Sequence, residues 1–301
     1  MSPDEGEPGG LPGGPPGGVP GGPRQISLAR LREFGVVPKR SLGQNFLVDD
    51  NILGLILDRL GPTPADVVLE VGAGLGVLTR ALARAAGHVH AFEIDRSLEP
   101  ALRSTLGEES NVSLHFADVL DADLGALDPA PTLCGSNLPY SPAAPFLAEA
   151  AWRLPGIRRY TVMLQREVAD RLMAHPGTKS YSGISAWIQL HFDVVDHRPL
   201  SRAIFYPRPN VDSSLLTLER AVKDESVTQH PARLRRVIDA AFQQRRKSLV
   251  NSVSSSLGIE KAAVIGALAA AGFDPKARAE ELPPMEFVKL SGALTGLMEM
   301  P

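Results

Sequence analysis

The run VLEVGAGLGVLTRALA, Val68 to Ala83, decides the fold. It opens as a buried strand, meets glycines at 72, 74 and 76, and from Val77 takes up helical apolar spacing. Glycine at such a junction lets the backbone turn tightly and lets a ligand approach where a Cβ would clash. The motif is not specific by itself, because nicotinamide and flavin enzymes use a close relative. A dinucleotide fingerprint would place its third glycine at position 77, which here is Val77.

Working outward, DDNILGLILDRLG upstream reads as an amphipathic helix opened by Asp49 or Asp50 and closed by Gly61, and ISLARLREFGV as another ending near Gly35. Downstream, HVHAFEID (88–95), VSLHFADV (112–119), PTLCGSN (131–137) and RYTVMLQ (159–165) are short apolar runs. Helix-length segments separate them: SLEPALRSTL, SPAAPFLAEAAWRL and REVADRLMA. Strand alternating with helix predicts a parallel sheet covered on both faces. The first half of YSGISAWIQLHFDVVDHRPL is open between helix and strand, whereas FYPRPNVDSSLLTLER is a Pro-punctuated corner followed by a strand from Ser213 to Leu218. From about Val227 the pattern is helical, including the long run PARLRRVIDAAFQQRRKSLVNSVSSSLG. Strands first and helices afterwards predict a separate C-terminal helical domain.

Three acids fall at or near successive strand ends beside the glycine loop. Glu70, within the first strand, suits a cationic ligand better than two phosphates. Glu93, about twenty residues past the loop, is placed to accept both ribose hydroxyls of a nucleoside. Asp118, ending LHFAD, can accept from an adenine amine. Each alone is an ordinary surface carboxylate or cap; together they predict S-adenosylmethionine rather than a nicotinamide cofactor.

The fourth strand ends in SNLPY, a corner with one amide, one ring and no ion. Methyl transfer from a sulfonium to an exocyclic amine needs alignment more than acid–base help. The Asn137 amide oxygen and the Pro139 carbonyl can hold the two amine hydrogens, and Tyr140 offers a face on which a base stacks.

Composition sets the outer bounds. The chain has 301 residues, 44% hydrophobic and 22% charged, an ordinary globular balance, with no apolar run long enough to span a membrane and no secretory signal. Its single Cys, Cys134, allows no internal disulfide and fits a reducing cytoplasm. The seven His have no zinc spacing, and no metal is expected. Residues 1–23 are nearly all Gly and Pro and are expected to be disordered. Their Asp4, Glu5 and Glu7 supply the whole net charge of −3, so the remainder is neutral. That neutrality hides two basic clusters, one around Arg40 and one containing Arg245, Arg246 and Lys247, which are candidate contacts for an anionic polymer.

With these motifs in place, the chain resembles the S-adenosylmethionine-dependent ribosomal RNA adenine N6-dimethyltransferases. The resemblance rests on SLGQNFLVD, LEVGAGLGVLT, FEID, SNLPY, LQREVADRL, FYPRPNVDSSLL and FQQRRKSLVNSV in that order, and runs from Lys39 to the end. It implies an α/β fold, a Rossmann-like class I methyltransferase sheet with a smaller C-terminal all-helical domain. The implied boundaries are a tail at 1–23, a methyltransferase domain at 24–225 and a helical RNA-binding domain at 226–301. It further implies that Asn45, Leu47, Gly72, Glu93, Asp118 and Asn137 bind S-adenosylmethionine. Asn137, Pro139 and Tyr140 would hold the target adenine, with Phe205 on its other face. REVADRLMAHPGTKSY and the RRKSL segment, expected to be helical, resemble the branch that dimethylates two adjacent adenines near the 3′ end of 16S rRNA in the immature small subunit. That branch implies a cytoplasmic monomer. The alternatives are the large-subunit (23S) branch that confers macrolide resistance, and an assembly factor on the same fold with secondary activity. One departure from the family is SPAAP after NLPY, where a polar Ser/Thr-containing stretch is usual. A proline in a helix's first turn is tolerated, so altered loop contacts are expected and lost chemistry is not.

Overall fold

A computed structural model describes residues 26–221 and 224–298. The tail expected to be disordered, 1–23, lies outside them. The chain enters through α1 (Ile26–Glu33), a 3-10 turn at Arg40–Leu42 and the two-residue strand β1 (Phe46–Leu47). Helix α2 (Asp50–Leu60) follows, its Asp49 cap accepting the Asn51 N–H and Gly61 closing it in a left-handed turn at φ 64°. Then come β2 (Val67–Val71), α3 (Val77–Ala83), β3 (His88–Phe92), α4 (Glu99–Leu106), β4 (Val112–His115), β5 (Leu133–Asn137), α5 (Ala143–Arg153), β6 (Arg159–Gln165), α6 (Arg166–Leu172) and α7 (Gly183–His191).

Helix α7 passes directly into β7 (Phe192–Leu200), which resolves the ambiguous segment as helix and then strand. After β8 (Phe205–Tyr206) and β9 (Ser213–Arg220), the chain is helical: α8 (Glu225–Gln229), α9 (Pro231–Phe242), α10 (Leu249–Leu257), α11 (Lys261–Ala270) and α12 (Pro284–Met298). The long basic run is two helices, not one. Residues 243–248 form a turn between α9 and α10 and carry the RRK cluster, so the expected helical RRKSL is corrected to a loop leading into α10.

The main sheet has the order β4-β3-β2-β5-β6-β9-β7, parallel from β4 to β6, with β9 antiparallel to both its neighbours. Both faces are covered, which is why its strands read as near-continuous apolar runs. Along β2, Val68 joins a core with Ile56, Leu60 and Leu82, while Leu69 and Val71 turn to the opposite core with Phe146, Leu147 and Trp187. This second core continues without interruption into Val237, Leu268, Phe287 and Leu290 of the C-terminal helices. Among the described residues, no helix is long and apolar enough to cross a membrane.

Candidate active site

The strand order reverses between β3-β2 and β5-β6, and in such sheets the carboxyl ends of the strands at the reversal open a crevice. The β2–β5 ladder stops at Leu69 and Cys134, and beyond it the Val71 N–H is taken by Ser136 Oγ at 2.9 Å. Here lies a cavity of about 570 Å³, lined by residues 41–47, the loop at 72–75, Glu93, Asp118 and the corner at 137–142. Nearly every residue expected at the cofactor or the target base lines it: Asn45, Leu47, Gly72, Glu93, Asp118, Asn137, Pro139 and Tyr140.

The glycine loop is fixed by β3, since Gly72 and Ala73 both donate to the Phe92 carbonyl, at 2.8 and 3.0 Å. Gly72 sits at φ 82°, and a Cβ on it would lie 3.1 Å from the Pro139 ring. Only glycine adopts that conformation at so close an approach, so the loop and the corner depend on the same residue.

The acids are held differently. Glu93 is buried and accepts the Gly74 N–H at Oε2 (2.7 Å) and the Asp95 N–H at Oε1 (2.9 Å), which aims both oxygens and leaves lone pairs on each. Burial raises its pKa, and these backbone bonds partly oppose the rise. Asp118 accepts the Leu120 N–H at Oδ1, and Oδ2 has no partner among the described residues. Glu70 differs from its expected charged state. It is 1% exposed, its Oε2 has no partner, and burial pushes its pKa up to about 8, so at neutral pH the carboxyl holds a proton.

The corner is as polar and as uncharged as its sequence. Asn137 Nδ2 donates to the Asn45 carbonyl at 3.2 Å. Because a carbonyl only accepts, this bond determines which end of the amide faces it and leaves Oδ1 as the free acceptor. The Leu138 N–H is bonded to the Met163 carbonyl at 2.9 Å, while the Pro139 carbonyl accepts nothing from the described residues. The Tyr140 hydroxyl lies 3.3 Å from Ser213 Oγ, and burial raises its pKa, so the phenol is neutral. The SPAAP departure leaves the next helix intact. Pro142 caps α5 with its carbonyl accepting the Phe146 N–H at 2.8 Å, and Pro145 falls in the first turn, where no N–H is needed.

Two expectations meet a different arrangement. Phe205 is 4% exposed, pairs with Leu47 across the β1–β8 ladder and packs in the core with Leu200 and Leu215 rather than on the cavity wall. In the second basic cluster, Arg245 is already engaged. Its Nε meets Glu280 at 2.8 Å and its Nη2 donates to the Thr178 and Lys179 carbonyls, whereas Arg246 and Lys247 are exposed with no side-chain partner among the described residues. The side chain of Arg40 lies outside the described part of the structure.

Gln44 and Asp95 were not anticipated from the sequence, and Lys39, part of the basic cluster around Arg40, turns inward to them. Lys39 Nζ lies 2.7 Å from Asp95 Oδ1, and Gln44 Nε2 lies 2.8 Å from Oδ2. Burial alone would raise the Asp95 pKa, but Lys39, Ser97 and Gln44 outweigh it and hold the carboxyl at about 2. The available signal was that both motifs continue past their obvious residues, GQN around Asn45 and EID beyond Glu93.

A nucleoside-sized cavity, a glycine cradle that a Cβ would fill, aimed carboxylate oxygens and a buried acid with one unpartnered oxygen fit an adenosyl group bearing a cationic tail. Sheet order and site together define a class I, S-adenosylmethionine-dependent methyltransferase. The family profile described as ribosomal RNA adenine dimethylase matches residues 37–295. The ribosomal RNA small subunit methyltransferase A of Geobacillus kaustophilus is 40% identical over 276 residues, which cover 89% of this chain and 94% of that protein. A dimethyladenosine transferase from Plasmodium falciparum shares the fold at TM-score 0.71 and 22% identity, over 83% of this chain and 98% of that one. The 23S rRNA methyltransferase ErmE aligns at TM-score 0.57 and 26% identity, over 83% of this chain and all of that one. The chain belongs to the ribosomal RNA adenine dimethylase family.

Proposed function

We propose that the protein transfers methyl groups to N6 of two adjacent adenines near the 3′ end of 16S rRNA, acting on the immature small subunit. The observation that carries this reading is the Asn137 amide, oriented by the Asn45 carbonyl so that Oδ1 points away from its own backbone support. Oδ1 and the Pro139 carbonyl are the two acceptors an exocyclic NH₂ needs, and with both hydrogens held the nitrogen lone pair has one remaining direction. S-adenosylmethionine, when bound, supplies a methyl group on a sulfonium. Glu93 receives the ribose hydroxyls, Asp118 the adenine amine, and Asn45, Leu47 and Gly72 shape the remaining wall.

No ionised base is needed. Once the new N–C bond has formed, the nitrogen is acidic and releases its proton to water, and the neutral Tyr140 serves as a stacking face. A singly methylated amine keeps one hydrogen, and rotation about C6–N6 presents it to either acceptor, so the same corner accepts the second transfer. Phe205, buried beside the cavity-wall residue Leu47 and not on the wall itself, is assigned no contact with the base.

The 16S target is favoured over 23S by the 40% identity to a small-subunit enzyme against 26% to the 23S enzyme. An assembly factor without activity would not need the glycine loop, the acids and Asn137, all of which are present. We assign the segment from 226 onward to RNA contact through Arg246 and Lys247, with the protein acting in the cytoplasm as a monomer.

The test is transfer of labelled methyl groups to undermethylated small subunits, followed by nucleoside analysis. Dimethyladenosine is the expected product. Asn137→Ala should lower turnover about a hundredfold or more through lost alignment. Tyr140→Ala should cost about 1–3 kcal/mol of stacking, with Tyr140→Phe mild. Methylated cytosine or guanine, or full turnover in Asn137→Ala, would overturn the assignment.

A further inference from the structure

Residues 41–47 form an unbroken stretch of the cavity wall, yet they hold only part of a 3-10 turn and a two-residue strand. What keeps this segment in place is tertiary. At its far end, β1 pairs with β8, and Ser27 Oγ donates to the Leu47 carbonyl at 2.6 Å. At its near end, besides the local Leu42 and Gln44 N–H bonds to the Lys39 carbonyl, the tertiary contacts converge on one buried carboxylate. Asp95 takes Lys39 Nζ and the Ser97 hydroxyl and N–H at Oδ1, and Gln44 Nε2 at Oδ2. The Lys39 N–H closes the ring by donating to Gln44 Oε1 at 2.8 Å.

This anchor touches both halves of the site. The backbone N–H of Asp95 aims Glu93, and the residue after Gln44 is Asn45, whose carbonyl orients Asn137. We propose that Asp95, acting through Gln44 and Asn45, is a positioning residue that determines which end of the Asn137 amide faces the target amine. The physical reason lies in the amide itself. Its two ends are nearly isosteric and opposite in hydrogen-bonding sense, so a flipped Asn137 would present N–H donors to an amine that is also a donor. Among the described residues, the only hydrogen bond that opposes the flip is the 3.2 Å contact to the Asn45 carbonyl, at the long end of the range. A small drift of residues 41–47 removes it. A purely structural ion pair between Lys39, about half exposed, and Asp95 would have no such consequence.

The inference rests on the reading of Asn137 as the group that holds the amine, and its first readout needs no RNA. In the free ¹⁵N-labelled protein, the side-chain amide signals of Asn137 are identified by their absence from Asn137→Ala. Gln44→Ala and Asp95→Asn should shift or broaden them. The Asn111 amide, held by the Ala83 and Ala86 carbonyls at 2.8 and 3.0 Å, should stay in place. The second readout is kinetic, with kcat for methyl transfer at saturating cofactor falling about tenfold or more as expected for misalignment, beyond any loss of cofactor affinity from movement of Asn45 and Leu47.

Asp95→Asn combined with Gln44→Glu exchanges donor and acceptor across the same contact. It should restore both the Asn137 signals and kcat, a rescue that a general packing role does not predict. Unmoved Asn137 signals in Gln44→Ala, or a turnover loss that follows cofactor affinity alone, would overturn the proposal. Wild-type protein that methylates no small-subunit RNA would sink the functional reading and leave the amide readout to decide this one. Should Asp95→Asn fail to fold, Gln44→Ala carries the test, since that side chain is only part-buried.

Discussion

At the scale of single residues, the cofactor cavity concentrates groups that stability alone would not select. Glu70 is the clearest case, a fully buried carboxyl with an unpartnered oxygen and another acid, Glu93, adding to the cost of ionising it. Its ordinary pKa is 4.5 and its value in the fold is about 8. Between these values the folded protein holds a proton that the unfolded chain has released. The stability linked to Glu70 is therefore complete below 4.5 and is lost as the pH rises through 8. Glu70→Gln should raise the Tm of the free protein at pH 8 and flatten the decline leading to it, while weakening S-adenosylmethionine because no negative charge can form beside the cation. Scanning calorimetry across that pH range and titration with the cofactor measure the two effects. A lower Tm for the variant at pH 8 would mean that the carboxylate has a partner and that this account of it is wrong.

At the scale of elements, the α9–α10 turn separates what the sequence displayed from what it hid. The cluster of three cations in FQQRRKSL is visible in the sequence, but their differing occupations are not, because Arg245 finds Glu280, Thr178 and Lys179 on segments distant in the chain. For the same reason the five parallel strands, the strand at Ser213, the glycine loop, the acids and the amide of the corner were legible, each being a local pattern, whereas β1, β7 and β8 and the antiparallel edge were not. The Asp95 anchor was not, since its carboxylate meets Lys39 and Gln44 more than fifty positions away. Phe205 was placed at the base only through the family resemblance, and its pairing with Leu47, which accompanies its burial, joins segments far apart in the chain. The division of labour within the turn gives a prediction. Neutralising Arg246 and Lys247 together should leave the Tm almost unchanged and reduce the salt dependence of binding to immature small subunits by about 1–2 in log–log slope. Arg245→Ala should instead lower the Tm, with a smaller change in slope. The opposite pattern would make Arg245 the RNA contact and its neighbours a solvated face.

At the scale of the whole molecule, the change from sheet to helices near residue 225 is legible as a change of period, but a change of period does not report where the core ends. The apolar cluster that contains Trp187 of α7 and Phe146 of α5 also contains Val237 of α9, Leu268 of α11 and Phe287 of α12. Polar and aromatic ties cross the same boundary. The Tyr181 hydroxyl donates to the Leu282 carbonyl at 2.9 Å, and the Tyr181, Phe242 and Phe287 rings follow one another at centroid distances of 5.8 and 5.5 Å. Helices that share a core with the sheet cannot leave without exposing α7, so the two parts should unfold together. Phe287→Ala, at a fully buried position, should cost about 3–5 kcal/mol by removing the ring and leaving a cavity. That loss should appear as one calorimetric transition displaced to lower temperature. A nucleoside ligand in the cavity at the sheet's carboxyl edge should then raise amide-exchange protection in α12 along with that of β2 and β5. If Phe287→Ala splits the melt in two, with the sheet and its ligand stabilisation unaffected, the helices after residue 225 fold on their own and the shared core is only a contact between two bodies.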